Sequence, residues 1–495
     1  MIREHDLWRL VDQRATESPD AEAVVDRYGR RLTFRQFREA AEAMAAGLSA
    51  MGVARGDVVA WELPTWLDTM ILSVALHRLG TIQVPIIAIY REREVTHCCA
   101  QTKARWLFTP DEYRSFDFAS MGATVSESLG IEHVVVRPGD FPSAVGGAVP
   151  EHRRDDSTRW IFHTSGTTSA PKGVRHTDAA LCEVGPPMAE RMGLDFADRY
   201  ALVFPFAHVG GIIVLFMTLA VGATNLIDDD FDATETSAFL ATERVTHAGT
   251  GTPFHLAYLA AQRARPTTRL FPYAKCFPGG ASPKPPKLHQ QIKKELGSAG
   301  IVSSWGLTES PILTFSQLDD PDDKLATTEG RPMPGVEIRS RGAELQIRAP
   351  QMTVGYVDPE LDEDAFEDGW FRTGDLGYVD AEGYVTITGR KKDVIVRNGE
   401  NVSAKEVEDL LYAHPNVTDA AVVGLPDDRT GERVCAIVTT RGGDIDLAEV
   451  TRWLKSQGLR TQAIPEQLEI LQTIPRNAAG KVSKDALKAR FAEED

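Results

Sequence analysis

Apolar and polar positions follow two textures along this chain. From the start to about residue 390, stretches with helical spacing alternate with short apolar runs. Ala40–Met51 (AAEAMAAGLSAM) spaces its apolar residues for a helix. Asp57–Leu63 (DVVAWEL) and Trp106–Thr109 (WLFT) are short runs of strand type. Thr69–Leu79 has helical spacing, and Gly80 stands where such a helix would stop. Repeated strand-then-helix units predict a largely parallel sheet covered on both faces. Between Glu337 and Thr388 the texture changes to short β-type segments (ELQIRA, GYV, YVTIT) separated by Gly, Asp and Asn, which predicts hairpins or a small barrel. The most basic cluster, RKKDVIVR (Arg390–Arg397), follows Gly389. Helix and strand patterns then return at Ala404–Tyr412, Ala420–Gly424, Val434–Thr439 and Leu447–Gln457. The predicted class is α/β: a large N-terminal domain of parallel sheets with flanking helices plus a small β-barrel-like part, and a small α+β C-terminal domain. A boundary near Lys391–Lys392 divides the chain into 1–391 and 392–495.

Composition narrows the picture. A chain of 495 residues is too long for one core and predicts two to four domains or subdomains. Hydrophobic residues at 42% and charged residues at 25% are ordinary for a globular protein and exclude a mostly disordered chain. The net charge of −17 disfavours nucleic-acid binding, though a backbone cradle with a few cations can still hold a small anion. The longest apolar stretch, Gly210–Ala223, is shorter than the ~20 residues a membrane span needs and reads as a buried element. The opening MIREHDLWRL lacks the apolar core of a signal peptide. Five cysteines with no C-x-x-C pair suggest neither a disulfide framework nor a zinc site, so a reducing, cytoplasmic setting is expected.

The most informative segment is Thr164–Gly173, TSGTTSAPKG, which follows the apolar run Trp160–Phe162. Glycines let the backbone turn and present N–H groups, hydroxyls add donors and Lys172 adds charge, so the composition is that of a phosphate-binding loop. It is not a Walker A loop, because no glycine precedes Lys172 and no Ser or Thr follows it. Further along stand Phe204–Gly211 (FPFAHVGG), Gly279–Ser282 (GGAS), Ser304–Glu309 (SWGLTE), Trp370–Gly377 (WFRTGDLG), Gly389–Glu408 and Pro475–Val482 (PRNAAGKV). Taken singly, each has a plainer reading. Asp375 after Gly374 would be a turn aspartate, Thr308–Glu309 a capped helix start, Trp305 and His208 core residues, and Lys481 a solvated tail lysine.

Together, in this order and over most of the chain, these motifs resemble the acyl-adenylate-forming family of acyl-CoA synthetases, luciferases and adenylation domains. Ser169 departs from the usual glycine of the loop. The resemblance implies that Thr164, Ser165, Gly166, Thr167, Thr168 and Lys172 bind the phosphates of ATP or AMP, together with Gly280, Ala281, Ser303, Trp305, Gly306, Asp375 and Arg390 around the nucleoside. Asp375 would accept from both ribose hydroxyls, a task suited to a carboxylate. Thr308 would bond an α-phosphate oxygen, and Glu309 would hold Mg²⁺ beside the phosphates. Lys481 would bridge the attacking carboxylate and the α-phosphate. His208, Gly210, Gly211, Gly279, Gly280 and Trp305 would line the acyl pocket, with His208 placing the carboxylate. Lys392 would be the hinge of a mobile C-terminal domain that exchanges Lys481 for the strand near Gly399, which would line the CoA tunnel. Lys484 stands where arginine is common, and Ser303 where an amide or acid often reads adenine.

The implied reaction joins a carboxylic acid to CoA through an acyl-adenylate, with ATP and Mg²⁺ consumed or used, and AMP and pyrophosphate released. No acidic residue lies between Ala201 and Leu226, which disfavours amino acids. The four glycines at 210, 211, 279 and 280 are expected to leave room for a bulky apolar group, and YREREV (Tyr90–Val95) resembles the subgroup acting on alicyclic, steroid-side-chain or terpenoid acids. A medium-chain acid is the other option. Expected partners are ATP, the acid and CoA, with a homodimer as the oligomeric option and neither nucleic acid nor integral membrane association. Two alternatives stay open: a ligase loading a carrier-protein phosphopantetheine, and a non-catalytic adenylate-binding homologue.

Overall fold

Local signals account for most element boundaries in the computed structural model, which describes residues 1–154, 156–164, 171–280, 284–442, 445–476 and 481–492. The helix expected from Ala40 starts earlier, at Phe34, and runs to Met51. Thr33 and Gln36 cap each other's backbone N–H groups at its start, and Gly52, at φ 100°, ends it. Leu67–Leu79 ends at Gly80, at φ 80°, as its spacing predicts. The apolar stretch after His208 is the helix Val209–Val221, buried on nearly every face. No helix of the described residues is long and apolar enough to cross a membrane.

The sheet that organises the site has six strands, in the order Lys172–His176, Trp160–Thr164, Ile82–Ile86, Val58–Glu62, Trp106–Pro110, Glu132–Val136. Neighbours are parallel except the first pair, which is antiparallel. From Val58–Glu62 the next strand lies to one side and the following one to the other, so the order reverses and a crevice opens at the carboxyl ends. A second sheet orders Arg199–Leu202, Thr224–Ile227, Glu22–Asp26 and Arg31–Thr33. Bridges through His247 join it to a third, Phe277–Gly279, Ile301–Leu307, Ser310–Phe315 and Arg331–Pro332. One large core fills the space between these layers, with Trp61, Trp160, Phe206 and Phe216 among its fully buried members.

The hairpin-rich region is a five-stranded antiparallel sheet around Trp370–Val379, which pairs with Glu344–Arg348, Phe366–Glu367 and Val385–Arg390. A short 3₁₀ turn, Lys391–Asp393, leads out of it. The remaining strands build a separate sheet around Gly431–Thr440. Its long strands alternate strictly: Val422, Val434, Ala436 and Val438 enter one apolar cluster, while Ala421, Val423, Cys435 and Ile437 enter another. Both faces of this sheet are therefore covered from within residues 395–491.

Candidate active site

The phosphate-type loop leaves the carboxyl end of Trp160–Thr164 and returns as Lys172–His176, with Thr164 paired to Lys172. Thr164 and Lys172, the described ends on either side of it, thus stand on the rim of the crevice. Of the loop residues singled out from sequence, Ser165, Gly166, Thr167 and Thr168 lie outside the described residues, as does Ala281. The feet of the loop are fixed from below. Gln101 Oε1 accepts from the Gly173 N–H at 3.1 Å, and His163 Nε2 lies 3.3 Å from the same oxygen. His97 Nε2 bonds the Pro171 carbonyl at 2.9 Å. A Cβ at Gly173 would meet the side-chain atoms Gln101 Oε1 at 2.8 Å and Val357 Cγ2 at 2.9 Å, so a larger residue would have to displace them.

Thr308 and Glu309 form the two-residue tip of the hairpin Ile301–Leu307/Ser310–Phe315. This corrects the reading of a helix start: Gly306 and Ile312 bring the two strands so close that a Cβ at Gly306 would meet the Ile312 nitrogen at 2.4 Å. The Thr308 carbonyl accepts from His176 Nε2 at 2.8 Å, and burial pushes the His176 imidazole down to about 4. Tyr356, unremarked in the sequence, links the two halves of the site. Its backbone bridges to Val174, its hydroxyl donates to Glu309 Oε1 at 2.6 Å, and Lys172 Nζ lies 5.7 Å above its ring. The only sequence signal was an aromatic residue after Gly355, and nothing in that signal pointed to the loop.

Asp375 is no turn residue. It lies within Trp370–Val379, paired with Arg390, and is 4% exposed. Oδ2 accepts from Trp305 Nε1 at 2.8 Å and Oδ1 from Arg390 Nε at 2.6 Å. Trp305 is also a member of the core beside Leu345 and Phe371, so both of its sequence readings hold. Ser303, buried, pairs in register with Gly279 on the neighbouring strand.

His208 caps the helix Val209–Val221, with Nδ1 accepting from the Gly210 N–H at 3.1 Å. Burial, and next the charge of Lys481, push the imidazole down to about 4, so the ring is neutral at pH 7 with its proton on Nε2. His208 and Thr308 line one small void of about 10 Å³ with Pro85, Ile87, Tyr90, Phe162 and Val209. Lys481 reaches the same place from the far end of the chain. Burial and Arg390 pull its ammonium down to about 8, against the opposing fields of Asp375 and Glu309. Lys484, in the arginine position, holds the buried Glu408 at 2.8 Å, and Glu408 in turn accepts from the Val422 N–H. The short tail after Lys481 is thereby anchored to the C-terminal sheet.

The glycines do not leave the room expected of them. A Cβ at Gly211 would lie 2.5 Å from the Phe206 carbonyl oxygen, at Gly279 3.2 Å from His255 and Ile301, at Gly280 2.4 Å from Ser304 Oγ, and at Gly210 3.3 Å from His208 Nδ1. They are small because the protein packs against itself there. Gly399 is explained by its turn: with Asn398 it connects Val394–Arg397 to Glu400–Ser403, both at positive φ, the pattern of a two-residue hairpin. It does not join the site in this arrangement. Lys392 does lie near it, within the field of Lys481.

Residues 11–357 match the AMP-binding enzyme family, and residues 406–481 match the AMP-binding enzyme C-terminal domain. The chain belongs to this family. It is an enzyme of the acyl-adenylate-forming superfamily, close to the acyl-CoA ligases, which are acid–thiol ligases. It is 29% identical over 515 residues to a medium-chain fatty-acid–CoA ligase of Escherichia coli, covering 98% of this chain and 89% of the relative. It is 33% identical over 484 residues to triostin synthetase I of Streptomyces triostinicus, covering 93% and 90%. Among solved structures, ATP-bound MatB from Rhodopseudomonas palustris superposes with a TM-score of 0.88 at 25% identity, covering 98% and 99%. As an AMP-binding enzyme the chain has the parallel-sheet body and the separate C-terminal unit expected of it, with Lys481, Asp375, Glu309 and His208 drawn to one crevice.

Proposed function

We propose that this enzyme activates an apolar carboxylic acid with ATP as its acyl-adenylate and transfers the acyl group to the thiol of CoA. The observation that carries the reading is the convergence of Lys481, Asp375, Glu309 and His208, four motif residues from distant parts of the chain. In the first step a carboxylate oxygen bonds to the α-phosphorus of ATP and the bond to pyrophosphate breaks. In the second the thiol sulfur bonds to the acyl carbon, the bond to AMP breaks, and the thiol proton leaves to solvent.

The charges fit the first step. Thr164–Thr168 and Lys172 hold the phosphates, and Thr308 bonds an α-phosphate oxygen. Asp375, oriented by Trp305 and Arg390, takes the ribose hydroxyls. Lys481 offsets the charge that builds up between carboxylate and phosphate, a positioned cation acting where water is excluded. The neutral His208 cannot act as a fixed cation, but its Nε2–H can orient the substrate carboxylate. Glu309 is a hard oxygen donor whose Oε1 is aimed by the Tyr356 hydroxyl, and one carboxylate beside triphosphate suits a largely hydrated Mg²⁺. When bound, Mg²⁺ would neutralise phosphate charge there; Glu309 would hold it.

The second step needs Lys481 replaced at the acyl group. The C-terminal sheet carries its own apolar clusters, which supports its turning as a body about Lys391–Asp393, with Lys392 as hinge and Gly399 brought to the CoA tunnel. The acid is taken as medium-chain or alicyclic; the void beside His208, of about 10 Å³ and lined also by Tyr90, His163 and Thr308, does not itself choose between acids. The medium-chain specificity in the name of the Escherichia coli relative, a CoA ligase, supports both that choice and the CoA acceptor. Pyrophosphate release screened over medium-chain fatty acids, cyclohexanecarboxylate and a steroid or diterpenoid acid, followed by thioester formation with CoA alone, tests the proposal. Best turnover on acetate or an amino acid would refute the substrate class, and adenylate formation without CoA thioester would favour a carrier-protein acceptor.

A further inference from the structure

A second polar cluster lies below the strand that carries the phosphate loop, among side chains the proposed reaction does not use. Asp6 caps the helix Leu7–Glu17, His77 lies in the last turn of Leu67–Leu79, and His152 lies in the segment 151–154. One donor atom from each can be chosen so that all lie within 4.8 Å of one another. The side chains are nearly dry: 5%, 1% and 8% exposed.

The rings are oriented in a particular way. His77 Nε2 bonds Asp178 Oδ2, while its Nδ1 is buried with no hydrogen-bond partner. Asp178 is itself fixed, accepting from Trp160 Nε1 at 2.7 Å and from the Leu7 N–H at 2.9 Å. His152 turns Nε2 to Asp6, 3.0 and 2.9 Å from its two oxygens, and Nδ1 to the Arg78 carbonyl at 3.3 Å. Both nitrogens of His152 thus face acceptors; with one proton serving the carbonyl from Nδ1, a bound cation would take the place of the proton between Nε2 and Asp6. Asp178 and the Arg78 carbonyl each take one ring nitrogen, as outer acceptors do for metal-binding histidines, and His77 Nδ1 is left without a hydrogen-bond partner. Asp6 and Asp178 share this cluster with His77, His152 and Arg159, whose guanidinium is turned to the Gly80 carbonyl at 2.8 Å.

We propose that Asp6, His77 and His152 bind one divalent cation of the zinc type, through the Asp6 carboxylate, His77 Nδ1 and His152 Nε2. Two imidazoles and a carboxylate suit Zn²⁺ and its neighbours better than Mg²⁺, which prefers all-oxygen donors. Asp178 and the Arg78 carbonyl orient the rings. Through Asp178 and Trp160 the ion ties the N-terminal helix and the segment 151–154 to the base of Trp160–Thr164, so it braces the strand from which the phosphate loop springs.

The test uses the full chain, stripped of metal and kept in excess Mg²⁺. Zn²⁺ or Co²⁺ is added, bound metal per chain is counted by mass spectrometry after gel filtration, and the Co²⁺ visible spectrum and the melting temperature are recorded. One equivalent is expected, with a Co²⁺ ligand-field spectrum and a melting temperature that rises with Zn²⁺ concentration. His152→Gln keeps an amide able to bond Asp6 but removes the imidazole; it should weaken binding by more than about 100-fold and abolish both signals while the chain stays folded. Asp6→Asn should do the same. A folded wild-type chain that binds no stoichiometric Zn²⁺ or Co²⁺, or a His152→Gln chain that binds as well as wild type, would overturn the site and leave two histidine–aspartate ion pairs that only fasten the N-terminus.

Discussion

Replacing Lys481 separates the two halves of the reaction. In the present arrangement its ammonium lies in the fields of Asp375, Glu309 and Arg390 and acts on His208, at the point where carboxylate and α-phosphate would meet. Loss of one positioned charge donor in a water-poor site lowers a rate by about 10²–10³-fold. Lys481→Ala should therefore slow adenylate formation, followed as pyrophosphate release, by at least that factor. Thioester formation from supplied acyl-adenylate and CoA should stay within a few-fold, because the rotated C-terminal unit no longer presents Lys481 there. The lowered ammonium adds a pH signature. With a value of about 8 in the free enzyme, about nine-tenths of the chains carry the charge at pH 7 and about one-tenth at pH 9, so kcat/KM for the first half-reaction should fall about tenfold per unit above pH 8. The same limb in kcat should move to higher pH, since bound ATP and carboxylate favour the ammonium. Lys481→Arg should retain partial activity and lose the limb, because guanidinium does not deprotonate in this range. Equal loss of both half-reactions in Lys481→Ala, or an alkaline limb that persists in Lys481→Arg, would refute the reasoning.

Three further outcomes follow from the geometry. Tyr356→Phe removes the hydroxyl on Glu309 at 2.6 Å, a bond to a charged acceptor of about 1.5–3 kcal/mol; kcat/KM for ATP should fall tenfold or more with circular dichroism unchanged, and an unaltered value would release Tyr356 from the site. Glu62 is fully buried with neither oxygen bonded, and burial holds its carboxyl well above the usual range despite the opposing charge of Arg91. Its folded form thus keeps a proton that the unfolded chain gives up above about pH 4.5, so its stabilising share is full below that pH and fades as pH rises. Glu62→Gln should gain on wild type in urea unfolding by up to about 1.4 kcal/mol per pH unit above 4.5, and a pH-independent gap would contradict this. Gly211→Ala would press a methyl to 2.5 Å from the Phe206 carbonyl oxygen; backbone cannot yield cheaply, so calorimetry should show a loss of about 1–3 kcal/mol, and an unchanged melting temperature would mean the helix start can shift.

Much of this architecture was legible in the sequence because its signals are local. Gly80 stops a helix by its own φ, and the continuous apolar runs Ala420–Gly424 and Val434–Thr439 suit strands buried on both faces. The motif residues could be named in order because each sits in a short recognisable run. What was not legible depends on chains meeting across the fold. Tyr356 matters only because residues 353–357 lie along Lys172–His176. The glycines at 211, 279 and 280 read equally well as open space or as tight packing, and only their neighbours decide. Thr308–Glu309 carries the residue types of a helix cap, yet the close contact of Gly306 with Ile312 folds it as a hairpin tip. His77, His152 and Asp6 are scattered singletons in sequence, with no spacing to connect them.

The setting of Asp375 has one more implication. An ionised carboxyl offers about four lone-pair directions, and here the indole of Trp305 and the side chain of Arg390 occupy two of them before any nucleotide arrives. In the proposed ribose-binding role the remaining two are already aimed, as a fixed fork for a cis-diol. Discrimination for ribonucleotides would then be built into the empty enzyme, and a sugar lacking one hydroxyl would leave one prong facing carbon.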